Sequence, residues 1–178
     1  MKIFNFLPGI VLSLAAVTST SAVAAEDNVH FSGALVSQPC TLPDADSDIK
    51  LDFGSVIIKS LYKYQRTMGK AFTIHLQDCD PSVFNTVNVT FEGTADAEHT
   101  DMLALDAVST AKGVAIGFEL TDGTPLAINK AGPFSSLISG DNSLTFNAYV
   151  QAKPTAIATQ TLGAGDFTAI STFVLGYQ

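Results

Sequence analysis

The last fourteen residues, Gly165-Asp-Phe-Thr-Ala-Ile-Ser-Thr-Phe-Val-Leu-Gly-Tyr-Gln178, decide the fold. Apolar side chains recur there at every second position, as expected of a strand with one buried face, and only Ser171 interrupts them. These residues are Phe167, Ala169, Phe173, Leu175 and Tyr177. The alternation predicts a strand that runs to the final residue and ties the C-terminus into a sheet, where most chain termini fray. If no further strand follows, the free edge of this strand needs a strand from another molecule.

The N-terminus has the three parts of a secretory signal peptide. Lys2 supplies the positive start, residues 10–17 form an apolar core, and Ala22-Val23-Ala24 is a small-x-small cleavage site. The apolar core is much shorter than the roughly 20 residues that a membrane-spanning helix needs. We therefore predict a signal peptide at 1–24, a short N-terminal segment at 25–38 and one globular domain at 39–178.

Charge and cysteine content narrow the class of protein. Removal of residues 1–24 takes away only Lys2, which leaves 8 basic and 17 acidic side chains and a net charge of −9. Such a balance argues against nucleic acid and anionic membranes as partners. Cys40 and Cys79 both lie in the exported part, where an even pair predicts one disulfide.

Short alternating segments fill the rest of the chain. They predict strands at 49–56, 72–79, 87–92, 102–108, 113–120, 126–128 and 144–150, with 57–69 as a connection over the sheet edge. Thr121-Asp122-Gly123 is a hairpin-type turn, and Pro154 stops the strand before it. Turn signals every eight to twelve residues and no sustained helical period favour an antiparallel β-sandwich of immunoglobulin type.

The sequence has no recognisable catalytic, metal or cofactor site. His30, His75 and His99 lie far apart along the chain, and no serine or cysteine occupies a nucleophile elbow. The three aspartates at 44, 46 and 48 resemble the start of a calcium loop, but Ile49 stands where the loop requires glycine. We interpret that segment as a solvated turn, and the protein as neither an enzyme nor a metalloprotein.

The segment before Cys40 allows two interpretations. Val29, Phe31, Gly33 and Leu35 lie on one face of an alternating stretch. This stretch is either the first strand of the domain's own sheet or a detachable arm that pairs with another molecule. The alternation is the same in both cases and does not distinguish them.

Several motifs, in order along the chain, resemble a known family. They are Val29-His-Phe-Ser-Gly33, Leu51-Asp-Phe-Gly54, Leu76-Gln-Asp-Cys79-Asp, Phe91-Glu-Gly-Thr94, His99-Thr-Asp-Met-Leu103-Ala-Leu105 and the ending Tyr177-Gln178. The chain resembles the fimbrial subunits, or pilins, of the chaperone–usher pathway, specifically the type 1 fimbrial family. That family has a glycine fourteenth from the end and an aromatic residue next to last, and Gly165 and Tyr177 occupy those places.

The resemblance implies an incomplete immunoglobulin-like antiparallel sandwich that lacks its final strand. A periplasmic chaperone would first lend a strand to the edge of residues 167–177 and grip the C-terminal carboxylate of Gln178. At the outer-membrane usher, the arm of a neighbouring subunit would replace it, with Val29, Phe31 and Leu35 as plugs and Gly33 where the groove is narrow. The groove strand would comprise Gly165, Phe167, Phe173, Leu175, Tyr177 and Gln178.

By the same resemblance, the protein is a structural subunit of an adhesive fimbria on the bacterial surface, exported through the periplasm. A host receptor would be met through a tip adhesin. Both a major rod subunit and a minor or adaptor subunit fit the sequence. The competing hypothesis is a self-contained periplasmic or receptor-binding module of immunoglobulin type, which would be a stable monomer when made alone.

Overall fold

The computed structural model describes residues 38–178. The predicted signal peptide and the arm residues Val29, Phe31, Gly33 and Leu35 lie outside the described residues. The described elements are a 3-10 turn at Asp44–Asp46, two short helices, and the strands β1 to β7. The helices are α1 (Ile58–Tyr64) and α2 (Pro154–Ala158), and the strands are β1 (Lys70–Cys79), β2 (Thr86–Glu92), β3 (Val114–Leu120), β4 (Pro125–Leu126), β5 (Ser135–Ser136), β6 (Gly140–Ala152) and β7 (Thr172–Tyr177).

The strands form two antiparallel sheets, as predicted. One sheet has the order β1-β6-β3-β4, and the other has the order β5-β2-β7. The longest strand, β6, pairs with β1 along one edge and with β3 along the other. The hairpin turn between β3 and β4 forms where the sequence predicts it, with the amide of Gly123 bonded to the carbonyl of Leu120 at 3.0 Å.

The hydrophobic core lies between the two sheets. Period-two alternation turns one face of each strand inward, and the phenylalanines of both sheets meet there. Phe91 of β2 stacks on Phe118 of β3 with ring centroids 4.4 Å apart, and Phe146 of β6 meets Phe91 edge-on at 5.2 Å. Offset and edge-to-face arrangements of this kind stabilise a core beyond the area that they bury.

The body has two distinct ends. We call the end where β1 and β7 finish and β2 and β6 begin the root end, because the disulfide between Cys40 and Cys79 lies there and the N-terminal segment leaves from it. At the opposite end, the far end, β6 finishes against the start of β3, with Val114 opposite Ala152. Residues 65–67 and 106–112 and helices α1 and α2 lie at the far end.

Two predicted strands do not form. Residues 49–56 alternate between half-buried and exposed, as predicted, but have no ladder partner among the described residues. Residues 102–108 form only isolated bridges, through Leu103 to Ala95 and Ile116. Residues 49–56 keep the burial pattern of a strand without a main-chain neighbour, whereas 102–108 have main-chain neighbours only around Leu103; neither segment forms the continuous ladder that defines a strand.

The predicted connection at 57–69 contains a helix that the sequence pattern did not reveal. Helix α1 has seven residues and a single buried side chain, Leu61, so its apolar period is too short to detect. Pro154 follows the end of β6, as predicted, and it also starts α2, where its missing amide costs no hydrogen bond.

Candidate functional site

The last strand, β7, is paired along one edge. Its register with β2 is antiparallel and continuous, from Val87 opposite Tyr177 to Glu92 opposite Thr172. Within residues 38–178 no strand pairs with its other edge. The predicted strand from 165 to 178 is therefore shorter than expected. Residues 166–168 are bonded instead to the loop at 106–111, with Thr168 accepting from the Asp106 amide at 2.8 Å.

The hydrogen bonds at the end of β7 show which groups face the open edge. Thr86 and Gln178 exchange both bonds, at 3.0 and 3.1 Å, so Gln178 directs its main chain toward β2. Because these directions alternate along an antiparallel strand, the amides and carbonyls of Phe173, Leu175 and Tyr177 point away from β2. They face the open edge as a row of main-chain donors and acceptors.

The side chains of the same three residues point toward the core but are only half-buried. Their partners directly opposite on β2 are Val87, Val89 and Phe91, which expose 0%, 4% and 4% of their surface. Partial burial also raises the pKa of the Tyr177 hydroxyl, because the phenolate would lose hydration. The open edge of β7 is thus also an apolar surface.

The segment 49–56 forms part of the other side of this opening. The Phe53 ring lies 6.1 Å from the Phe167 ring, and the half-buried Ile49, Leu51 and Val56 pack against the same core. No main-chain to main-chain hydrogen bond joins residues 49–56 to another part of the described chain. We call the surface between 49–56 and 167–177 the groove.

The groove has a cavity of about 100 Å³ at the far end. Its walls are mainly apolar and come from α1, β3, β6 and the loop before Gly165; the lining includes Val56, Ile58, Leu61, Val114, Val150, Leu162 and Phe167. A cavity lined by such side chains accepts an apolar group.

At Gly165, just before the groove residues 167–177, the backbone passes very close to the loop residues Thr110 and Ala111. A Cβ atom at this position would lie 2.5 Å from the Ala111 amide nitrogen and would also meet Thr110. Main-chain atoms cannot move aside as a flexible side chain can. Close packing of two backbones therefore requires glycine at position 165.

The C-terminus is held by its own domain at the root end. The main-chain oxygen of Gln178 accepts hydrogen bonds from the amides of Asn85 and Thr86 at 3.1 and 3.0 Å, and from the Thr86 hydroxyl at 2.9 Å. Gln178 is therefore fixed in place at the end of the open edge.

The predicted disulfide is present at the same end. Cys40 and Cys79 are bonded, with their Cα atoms 4.1 Å apart. Beside the disulfide, Thr41 pairs with Gln77 in both directions, at 2.7 and 2.8 Å, and the Asp80 amide donates to the Pro39 carbonyl at 2.7 Å. The chain directly after the N-terminal segment, at Pro39 to Thr41, is therefore anchored to β1 and to the turn that follows it.

The interpretation of 44–48 as a solvated turn is wrong for one residue. Asp46 is buried, and its carboxylate accepts from the His75 amide at 2.5 Å and contacts the His75 ring nitrogen Nδ1 at 2.8 Å. The backbone bond from His75 lowers the pKa of Asp46 most, against the opposing effect of burial. At His75 the carboxylate thus accepts the main-chain hydrogen bond that a further strand beside β1 would otherwise accept.

Phe167, Phe173, Leu175 and Tyr177 lie along one wall of the groove, between Gly165 and Gln178. Their contact with a strand from another molecule stays a prediction. Sequence reasoning missed the cavity and the role of Leu61 and Leu162, because their contacts come from segments far apart in sequence. Among residues 38–178 no cluster of three or more acidic, histidine or cysteine side chains could hold a metal ion. No helix in that range is long and apolar enough to cross a membrane.

Comparison with known proteins agrees with this geometry. The family model described as Fimbrial protein matches residues 29–178. An uncharacterised fimbrial-like protein of Escherichia coli K12, YfcP, is 36% identical over 98% of this chain and 94% of its own length. The Fimbria A protein of Serratia marcescens is 31% identical over the full length of both chains. The crystal structure of the P pilus rod subunit PapA superposes with a TM-score of 0.67, at 24% identity, over 79% of this chain and all of that one.

Proposed function

The chain belongs to the fimbrial protein family and is a structural subunit of a fimbria; on that premise we propose that its groove receives a strand from another molecule. The observation that carries the proposal is the state of Phe173, Leu175 and Tyr177. They combine half-buried apolar side chains with main-chain groups that face an open edge. An added strand would satisfy both, since its main chain completes the ladder and its alternate side chains fill the groove.

In the assembled filament, the added strand is the arm of a neighbouring subunit. Val29, Phe31 and Leu35 alternate at the spacing that places them all on the groove side. Gly33 lies between them, where a glycine permits close approach of two backbones. Burial of the three side chains is worth roughly 5–9 kcal/mol, at about 1.5–3 kcal/mol each, before the ladder bonds are counted.

The position of the arm's own root determines the direction of the added strand. Residues 38–40, from which the arm extends, lie at the root end of each body, as does Gln178. A single contact that repeats along a filament is heterologous and joins two different surfaces of successive subunits, here the root end of one and the far end of the other. The arm therefore enters from the acceptor's far end and runs antiparallel to β7. This direction puts Leu35 at the cavity beside Gly165 and Val29 near Tyr177.

Before assembly, a periplasmic chaperone occupies the same edge. A row of unpaired main-chain groups above apolar side chains would otherwise associate with any other exposed strand. The chaperone's strand pairs with β7, and its cationic groups grip the carboxylate of Gln178, which Thr86 already holds in position. At the outer-membrane usher, the arm of the next subunit displaces the chaperone.

The experiment compares the mature chain, residues 25–178, made in the periplasm alone, with a matching chaperone, or with a synthetic peptide of residues 26–38. We expect soluble, cooperatively unfolding protein only with the chaperone or the peptide. The control peptide carries Phe31→Asp and should not rescue the protein. A chain that is a stable monomer alone, with an unfolding temperature that the peptide leaves unchanged, would favour the self-contained module.

A further inference from the structure

The length of the arm restricts where the next subunit lies. Leu35, the last predicted plug, is separated from the anchored Cys40 by residues 36–39. Even fully extended, that stretch spans at most roughly 18 Å. If Leu35 fills the far-end cavity of one subunit, the root end of the next must lie against that far end. At that distance the two bodies contact each other directly, in addition to their connection through the arm.

Both ends of the body expose large apolar side chains. At the root end, Val83 and Phe84 lie in the turn before β2, and Ile138 follows Leu137, whose amide donates to Asn85 at 2.8 Å. Phe84 exposes 39% and Ile138 exposes 65% of its surface.

The far end carries a second patch of exposed apolar side chains. Ile57 directly precedes helix α1, Tyr64 is the last residue of that helix, and Val108 lies in the loop bonded to residues 166–168. Their exposed fractions are 65%, 62% and 82%. Both patches adjoin the groove or the start of the arm, so they are continuous with the proposed strand contact.

The two ends also differ in charge. Exposed carboxylates surround the root-end patch, at Asp78, Asp80 and Asp141. The far-end patch has three exposed ammonium groups around it, at Lys59, Lys63 and Lys112, and two carboxylates, the half-buried Asp106 and the exposed Asp166, so its balance is positive. In the part of the chain that the structure describes, none of these eight side chains forms an ion pair within the body. Opposite charge at the two ends favours contact between unlike ends and opposes contact between like ends.

We propose that the root end of one copy of this chain seats on the far end of the preceding copy, with Val83, Phe84 and Ile138 against Ile57, Tyr64 and Val108. The acidic rim of one patch meets the basic rim of the other. This body contact rests on the proposed function, because the arm brings the two ends together. It is a second, heterologous interface, and it fixes the angle between successive subunits.

The test uses the mature chain in complex with its chaperone, allowed to assemble in vitro. One preparation carries Ile138→Cys, another carries Tyr64→Cys, and a short bis-maleimide links free thiols while leaving the native disulfide intact. Mixed preparations should cross-link at least tenfold faster than either preparation assembled alone, where only like ends carry thiols. In parallel, Phe84→Ser should speed subunit dissociation from the filament tenfold or more, with unchanged binding of the 26–38 peptide.

Two results would overturn the proposal in distinguishable ways. If the peptide binds but the mixture does not assemble, or cross-links no faster than the like-end controls, the groove receives a strand and the end-to-end contact is wrong. If the peptide itself does not bind, the proposed function fails and the contact fails with it.

Discussion

Strands β2 and β7 are neighbours of similar length that turn their apolar side chains to the same core, yet they differ in burial. Val87, Val89 and Phe91 expose 4% of their surface or less, whereas Tyr177, Leu175 and Phe173 directly opposite are half-buried. The burial differs because only one of the two strands has its outer edge covered. The outer edge of β2 is covered by residues 129–137, through bonds such as Gly132 to Val89 at 3.0 Å, and the outer edge of β7 is open.

The comparison shows that an alternating pattern predicts which way a side chain points but not whether it is covered. Coverage depends on a neighbouring strand. In β2 that neighbour belongs to the same chain, and in β7 we propose that it comes from another molecule. Four experiments act on this difference.

The largest effect should follow from supplying the missing strand in the same chain. Residues 26–38 are appended after Gln178 through a four-residue turn, so that they fold back antiparallel to β7. We expect the free energy of unfolding to rise by roughly 5–9 kcal/mol, because three apolar side chains become buried. Denaturant titration measures it, and the same extension with Phe31→Asp is the control. An equal gain in unfolding free energy from both extensions would mean that the groove does not distinguish an apolar from a charged side chain at position 31.

Alanine substitutions at Phe91 and Phe173, which lie opposite each other on β2 and β7, should give the next largest change in the free energy of unfolding. Phe91→Ala should cost about 3–5 kcal/mol, since it removes a ring packed against Phe118 and Phe146. Phe173→Ala should lower the free energy of unfolding by about half as much while the edge is open. In the self-complemented chain, which carries residues 26–38 after Gln178, its cost should approach that of Phe91→Ala. Unfolding titrations of both variants in both backgrounds check this. Equal costs with the edge open would contradict the burial difference.

Gly165→Ala should have a smaller effect, about 1–3 kcal/mol of destabilisation, because the new methyl group meets the backbone at Thr110 and Ala111. The loss should appear in the self-complemented chain, where the strand is already covered. Ala164→Ser, at an exposed neighbouring position, is the matched control. If the thermal midpoints of the two variants were the same, close packing would not explain the glycine.

The smallest effect concerns the edge of β1, which a carboxylate closes. The pKa of Asp46 is lowered in the folded state, so its ionised form stabilises the protein above the unfolded-state pKa. That stabilisation is lost as the pH falls through the folded-state pKa. Wild type should therefore exceed Asp46→Asn in unfolding midpoint at pH 7, and the gap should close as the pH falls through the acid range. A gap that is independent of pH would show that the charge contributes nothing.

The sequence predicts the parts of the fold that depend on local pattern. Strands β1, β2, β3 and β6, the hairpin at Gly123 and the disulfide all lie where alternation, turn residues and cysteine count place them. The same alternation places Phe173 and Leu175 on one face of the last strand, but their assignment to a groove depends on the family resemblance.

What the sequence did not predict depends on contacts between distant segments. Residues 49–56 have the alternation of a strand but no ladder, because nothing in residues 38–178 pairs with them. The buried carboxylate of Asp46 depends on His75, which is 29 positions away. The far-end cavity combines residues from α1, β3, β6 and the loop before Gly165, and no local motif marks such a combination.

The disulfide at the root end has a mechanical consequence. Under the proposed strand exchange, the pull on a subunit in a filament under tension enters through its arm at Cys40 and leaves through the strand seated in its groove. The covalent bond to Cys79 transfers the load at once into β1, at the edge of the sheet built around β6. The residues between the two cysteines, including the loosely bonded wall at 49–56, are bypassed. The groove can therefore keep its shape while the fibre is stretched.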